Sequence, residues 1–443
     1  MKEALASYIL RKLKKGGADD IVVSMTESTN NQIKFSNNKI STTKTWEALS
    51  LSVLIAMKKK LVTTTIKDFS TKAADKTVAR LLELVKNTEE NKGYMGIATG
   101  PFRYKKIDGL YDRNVGKLKE SAVDIVDGCI NQALKEKAQR TAGLLEVTGT
   151  ENYLLTSGGV EAGAKATALY FSIRALAEKD ASGHQTLVGR TLQRFKPERA
   201  AKKAAEYAVN ARNPKKCNPG KFDCVFDHIP AANMLMHVGE SASIFNVEAA
   251  LSFLEGKKGK EVASDKVTIH DDATKKDGLA SSIYDAEGVP TKKNVLIQGG
   301  VLKTYLHNTS TAKRYNTKTT ANAGLIAPEP TNIVLKKGNK SVDEMIKEVR
   351  KGFFITNTWY TRFQSYQTGD FSTIPRDAIF YIENGRIKHP VKEIRVTENM
   401  LNLLHNINGV GNDQQQVYGW EVGIPVFTSP ILVKNVRVTT STT

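Results

Sequence analysis

Cysteine is scarce in this chain: Cys129, Cys217 and Cys224 are the only three in 443 residues. An odd count without a C-x-x-C pair argues against a disulfide framework and for a reducing compartment, expected to be the cytoplasm. Uninterrupted apolar runs of about twenty residues are missing, so no membrane-spanning helix is expected. The opening stretch MKEALASYILRKLKKGG mixes apolar and basic residues at helical spacing and lacks the continuous apolar core of a secretion signal. There is no G-x-S-x-G elbow, no Walker loop and no G-x-G-x-x-G after a strand. Seven histidines, at 184, 228, 237, 270, 307, 389 and 405, form no H-E-x-x-H or other tight pair, so the residues alone give metal chemistry no support.

Acidic residues are outnumbered, 46 against 65 Lys and Arg, for a net charge of +19. The basic residues are spread along the chain rather than gathered in one arm or helix, which reads as solvated surface and not as a nucleic-acid footprint. Such a charge suits acidic peptides or an acidic partner subunit.

The length exceeds what one core serves, and 40% hydrophobic content suffices for packed cores. Two domains are expected, over 1–212 and 221–443, separated by the Pro- and Gly-broken stretch from Asn213 to Gly220. The first begins with a helix, then a strand from Ile21 and a hairpin turning at Asn37-Asn38. A second strand pair, Leu49–Met57 and Leu61–Thr65, flanks Lys58–Lys60, and Ser70 caps a helix carrying Val78, Leu81, Leu82 and Val85. The order recurs. GTENYLLTSGGVEAG (149–163) matches STNNQIKFSNNKIST (28–42) at constant offset, pairing Thr29 with Thr150, Asn31 with Asn152 and Ser36 with Ser157. Duplication is the reading, against chance likeness of two short hairpins. A helix over 115–140 is expected between the copies.

After Cys224-Val225-Phe226 the pattern is mostly β, with Gly299-Gly300 and Asn384-Gly385 as hairpin turns. Ser341 to Glu344 is a capping box, Asn399–Ile407 a short helix and Ile431–Val438 a closing strand. The expected fold class is α+β: an N-terminal antiparallel sheet with helices, internally duplicated, and a β-rich, barrel-like C-terminal domain.

Candidate chemistry lies in three places. Ala231, Leu235, Val238 and Ala242 share one face of a predicted helix over 230–243, with His237 and Glu240 three apart on an adjacent face. A hydrogen-bonded pair beside a core helix is the plainer reading of those two, because zinc takes three or four ligands and no third is local. Asp271, Asp272, Asp285 and Glu287 follow a strand but lack the calcium-loop spacing, which points to solvated or turn-capping roles. Gly369, Asp370 and Phe371 follow the aromatics Trp359, Tyr360, Phe363 and Tyr366. This stretch suits either a groove for an extended chain, making those three the substrate-binding candidates, or plain core packing.

Several segments together, SFLEGKKGKEVASDKVTIHDD, IYDAEGVPT, TGDFS (368–372), YIENGRIKHPVKEI and ENMLNLLHNINGVGND, resemble in this order the TldD/PmbA family, also called modulators of DNA gyrase. The likeness covers most of 222–443; the first half agrees only in architecture. It implies paired subunits forming a protease for unfolded or leader peptides, with a TldD-type subunit binding zinc through H-E-x-x-x-H on its central helix and a later Cys. Counted back without gaps, Leu235 and Glu240 stand in place of the two histidines and Met236 in place of the catalytic Glu, and no cysteine follows Cys224. Leu and Met neither bind zinc well nor move a proton. The resemblance therefore implies a PmbA- or TldE-type subunit that assigns no catalytic residue and no metal to this chain. His237 and Glu240 are remnants of the motif, and zinc is expected only in a TldD-type partner, in a heterodimer or, without that partner, a homodimer. The alternatives are a self-sufficient metallopeptidase using His237, Glu240 and a distant histidine, and a basic nucleic-acid-binding modulator.

Overall fold

The computed structural model describes residues 2–118 and 120–440. In the first half, α1 (Lys2–Lys15), β1 (Asp20–Ser36), β2 (Lys39–Met57), β3 (Lys60–Ile66) and α2 (Thr71–Asn87) are followed by the same order again. The second set is α3 (Ser121–Lys135), β4 (Arg140–Thr156), β5 (Glu161–Glu178), β6 (Ala181–Gly189) and α4 (Pro197–Asn210). The six strands make one antiparallel sheet in the order β3-β2-β1-β4-β5-β6. At its centre Ser28 faces Thr150 and Thr29 faces Gly149. The offset that relates Thr29 to Thr150 also relates Ser28 to Gly149, so the two units sit about a pseudo-twofold axis. Ser70 accepts from the Ala73 amide at 3.2 Å, as its capping role requires.

The helix expected over 115–140 is shorter, because its end was hidden. Lys137 takes φ 68°, its amide bonds Leu134 O and the Ala138 amide reaches back to Ala133 O, a Schellman ending that turns the chain into β4. Gly17, at φ 89°, ends α1 in the same way, with Ala18 bonded to Leu13 O. Glycine announces such a stop in sequence; lysine does not.

Beyond α4 the strands are short and form two sheets. In the larger, Gly220–Phe226 pairs in parallel with Lys351–Ile355 and antiparallel with Ile431–Thr440. The smaller has six strands and includes Ile269–Asp272, Ile333–Leu335 and Val422–Thr428. Between them lies α5 (His228–Ser241), packed on Val422–Thr428 from one side and on Gly220–Phe226 and Thr358–Ser365 from the other. Twelve of its fourteen residues are buried. The amphipathic reading thus needs correction: α5 is enclosed on all sides, as an all-round apolar helix must be. Gly239 permits this, since a Cβ there would meet Ile333 Cδ1 at 2.5 Å. The stretch expected as a linker carries a short strand, Lys215–Lys216, on Arg386–Lys392. One hydrophobic cluster joins α3 and α4 to Val225, Met345, Phe354 and Leu432, so the two halves share a core. Among the described residues no helix is long and apolar enough to cross a membrane.

Candidate functional site

The start of α5 is tied to the first half of the chain. Asp227, at its N-cap, is 1% exposed, and its carboxylate accepts from Tyr207 Oη and meets His228 Nδ1, each at 2.7 Å, with Lys203 Nζ at 3.1 Å. Burial alone would raise its carboxyl, but the Lys203 ammonium and the His228 ring outweigh that and hold it well below the usual carboxylate range. Tyr207 and Lys203 belong to α4, so this ion cluster fixes where the central helix begins.

Along α5 only two residues reach solvent, and they are the two singled out from sequence. His237 Nδ1 lies 2.8 Å from Glu240 Oε2, with side chains 12% and 42% exposed. The other ring nitrogen, Nε2, is buried and has no partner. The His237 ring meets Phe363 edge-on at 4.9 Å, and Phe363 in turn touches Phe253, Tyr366 and Phe371. Two candidate stretches more than a hundred residues apart in sequence therefore converge on one aromatic patch.

Gly369 is needed at the base of that patch: its φ is +84°, and a Cβ would lie 3.0 Å from Phe253 Cβ. Asp370 is exposed but employed, accepting from Asn399 Nδ2 at 2.9 Å and Thr368 Oγ1 at 2.6 Å, bonds that hold its carboxyl below the usual range. Phe371 is fully buried. Of the three substrate-binding candidates, Asp370 alone reaches the surface, while Gly369 and Phe371 shape the floor beneath Phe363. Exposed Tyr366 stacks on Phe363 at the edge of the patch.

Sequence reasoning missed Glu421. Its side chain is 9% exposed, accepts from Trp420 Nε1 at 3.1 Å and the Thr361 amide at 3.4 Å, and lies 3.9 Å from Arg362. Its backbone oxygen accepts from Asn233 of α5 at 2.5 Å. An acidic residue in a Trp-Glu hairpin tip carries no signal of such burial.

The four carboxylates, two of them within the strand Ile269–Asp272, are buried, not solvated, which corrects one half of that expectation. Turn-capping describes Asp272 and Asp285, while Asp271 and Glu287 take up groups from distant loops. Asp271 accepts from the Thr331 amide and hydroxyl at 2.6 and 2.9 Å and from Asn322 Nδ2 at 2.7 Å. Asp272 accepts from the Thr274 amide at 3.0 Å, and Asp285 from the amides of Val289, Glu287 and Ala323. Loops without ladder partners need such acceptors. Burial pushes Asp271 and Asp285 up to about 6, and burial with the neighbouring Asp285 charge pushes Glu287 to about 7.

The family model for the PmbA/TldA metallopeptidase C-terminal domain matches residues 219–440, and that for the central domain matches 117–212. The chain belongs to the PmbA/TldD family. A metalloprotease of Methanothermobacter thermautotrophicus is 33% identical over 244 residues, 52% of each chain. Metalloprotease PmbA of Escherichia coli O157:H7 is 29% identical over 227 residues, 51% of this chain and 49% of that one. In these matches the chain spans about half the length of its relatives. The fold is that of a Thermotoga maritima protein described as a modulator of DNA gyrase, with TM-score 0.87 at 24% identity over 99% of this chain and 100% of that one. TldE of Thermococcus kodakarensis gives 0.86 at 20%, covering 98% and 100%.

A family of metallopeptidases raises the question of whether these residues fit a metal. At the motif positions of this PmbA/TldD member they do not fit zinc. Leu235 is fully buried in the core, Met236 Sδ already accepts the Gly423 amide at 3.0 Å, and Glu240 is engaged with His237. Cys224 is buried in its strand with its thiol pushed up by burial. Among the described residues no three or more His, Cys, Asp or Glu are grouped to hold a metal.

Proposed function

We propose that this chain is a PmbA- or TldE-like subunit that assists peptide proteolysis and leaves the catalytic metal to a TldD-type homologue. The observation that carries the reading is the filling of α5: the position of the first ligating histidine holds a core leucine, and that of the catalytic glutamate holds a methionine already bonded to backbone. The chain's own contribution is to hold substrate. Strand Thr358–Ser365 ends its sheet, pairing only with Asp370–Pro375 among the described residues, so its other edge offers backbone groups to an extended peptide. Exposed Tyr360 in that strand and Tyr366 just after it supply apolar contact area, while Asp370 and Gly369 set the turn that keeps Phe371 under Phe363.

The test is co-purification with a TldD-type homologue, followed by cleavage of an unfolded peptide. Activity is expected from the pair and not from this chain, and Tyr366→Ala should raise KM more than it lowers kcat. Full cleavage by this chain alone would overturn the assignment. The orphaned Nε2 of His237 favours a self-sufficient metallopeptidase instead; that reading requires activity to vanish in His237→Ala.

A further inference from the structure

Off the C-terminal end of α5 lies a cavity of about 320 Å³, walled on one side by Val22, Leu54 and Leu61 of the first sheet and on the other by Leu325 and Glu287. Its volume is at the low end for small-ligand sites, and its walls mix apolar side chains with polar ones such as Asn91, Asn308 and Thr311. The charges on the wall are Glu287, Glu248 and Arg314. Arg314 is already committed: its guanidinium makes a two-pronged pair with Glu248, and its Nη1 donates to Gly93 O at 2.6 Å. No cation on the wall is left for Glu287.

Glu287 is 6% exposed; its Oε2 accepts a long 3.3 Å bond from the Thr309 amide, and the Ala98 amide also bonds its carboxyl, so its partners are neutral backbone groups. Behind it stands Asp285, whose carboxylate is taken up by backbone amides. Tyr94, also on the wall, directs its hydroxyl to Asp20 at 2.9 Å and so adds no donor for Glu287. A buried carboxyl without a cation keeps its proton to avoid a bare charge, and an arriving ammonium at hydrogen-bond distance lets it ionise. Here the cavity it lines also carries the aliphatic side chains of Val22, Leu54, Leu61 and Leu325, which suit a short apolar stem.

We infer that this cavity binds a primary ammonium group on a short apolar stem, with Glu287 as its counter-ion. Two sources share that chemistry, the free N-terminus of a peptide and a lysine side chain. The inference does not rest on the proteolytic role, because it concerns the isolated chain.

The experiment is calorimetric titration of the full chain with three probes: Leu-Gly-Gly, N-acetyl-Leu-Gly-Gly and N-acetyl-lysine amide. Saturable one-to-one binding of Leu-Gly-Gly, lost on acetylation, identifies an N-terminus; binding of the lysine amide alone identifies a side chain. Glu287→Gln should weaken either by about 10- to 100-fold, the worth of a charge-assisted hydrogen bond. If that variant fails to fold, Ile326→Trp substitutes for it. Ile326 is a wall residue 61% exposed, so a larger side chain there narrows the cavity without disturbing the core. Equal binding of acetylated and free Leu-Gly-Gly, unchanged binding in both variants, or no binding by either amine at millimolar concentration would overturn the inference.

Discussion

In the first half, β1 is paired along nearly its whole length on both edges, to β2 and to β4, and two-residue turns at Asn37-Asn38 and Lys58-Lys59 close the hairpins. In the second, Ile269–Asp272 is four residues long, and the loops around it give their amides to Asp271, Asp272 and Asp285. The contrast teaches where each half is vulnerable. Ladders satisfy backbone groups with neutral partners, whereas buried carboxylates do so with groups that titrate. In the second half the pH response should therefore be set by these carboxylates and be sensitive to single acidic substitutions, while in the first it falls to His184, which burial pushes down to about 4.

The largest effect expected is from Asp271→Ala, which leaves the Thr331 amide without its acceptor and takes one of two acceptors from Asn322 Nδ2. It should cost about 3 kcal/mol in urea unfolding, while Asp271→Asn, which keeps an acceptor and removes a buried charge, should cost far less. Equal losses would mean that the charge and not the acceptor matters.

Next comes pH. Asp271 and Asp285 titrate near 6 and Glu287 near 7 in the folded chain, above their ordinary values of 3.8, 3.8 and 4.5. A carboxyl raised on folding holds its proton longer than the unfolded chain does. Its stabilisation is complete below about pH 4 and is lost as pH rises through 6 to 7. As pH falls from 7 to 5 these carboxyls should contribute stability on the order of 2 kcal/mol to urea unfolding, and Asp271→Asn with Asp285→Asn should remove part of that contribution. His184 and His307, which burial pushes down to about 4, oppose this across the same window, so the carboxyl contribution is read from the difference between the parent chain and the double variant. Asp227, whose folded value is depressed, opposes it only in more acid solution.

Smaller and matched between halves are the helix caps. Ser70→Ala and Ser341→Ala should each cost about 1 kcal/mol by thermal unfolding, since both side chains accept from the first helical turn. Smallest is Lys137→Gly, expected to stabilise by about 0.5 kcal/mol because glycine relieves the left-handed strain that Gly17 already avoids in the other unit. A loss there would undo the equivalence of the two helix ends.

Legibility in sequence followed the same division. Hairpin turns, alternating strands and the repeated order in the first half were readable because local pattern and final structure agree. The end of α3 was not, since Lys137 occupies a position where glycine would have marked the stop. In the second half Ser341, Asn399 and the two Gly-containing turns were readable. The burial of Asp271 and Glu421 was not, because it depends on loops brought in from residues 322–331 and 361. His237 and Glu240 were picked out as a pair, and their meeting with Phe363 could be seen only once Thr358–Ser365 was placed beside α5.

Zinc content decides most directly whether this chain is a metal-free companion. The chain purified alone, and then together with a TldD-type homologue, would be analysed for bound zinc and assayed on an unfolded peptide. The account predicts no stoichiometric zinc and no cleavage from the chain alone, with both present in the pair. One zinc ion per chain in the isolated protein, lost to a chelator together with peptidase activity, would contradict it.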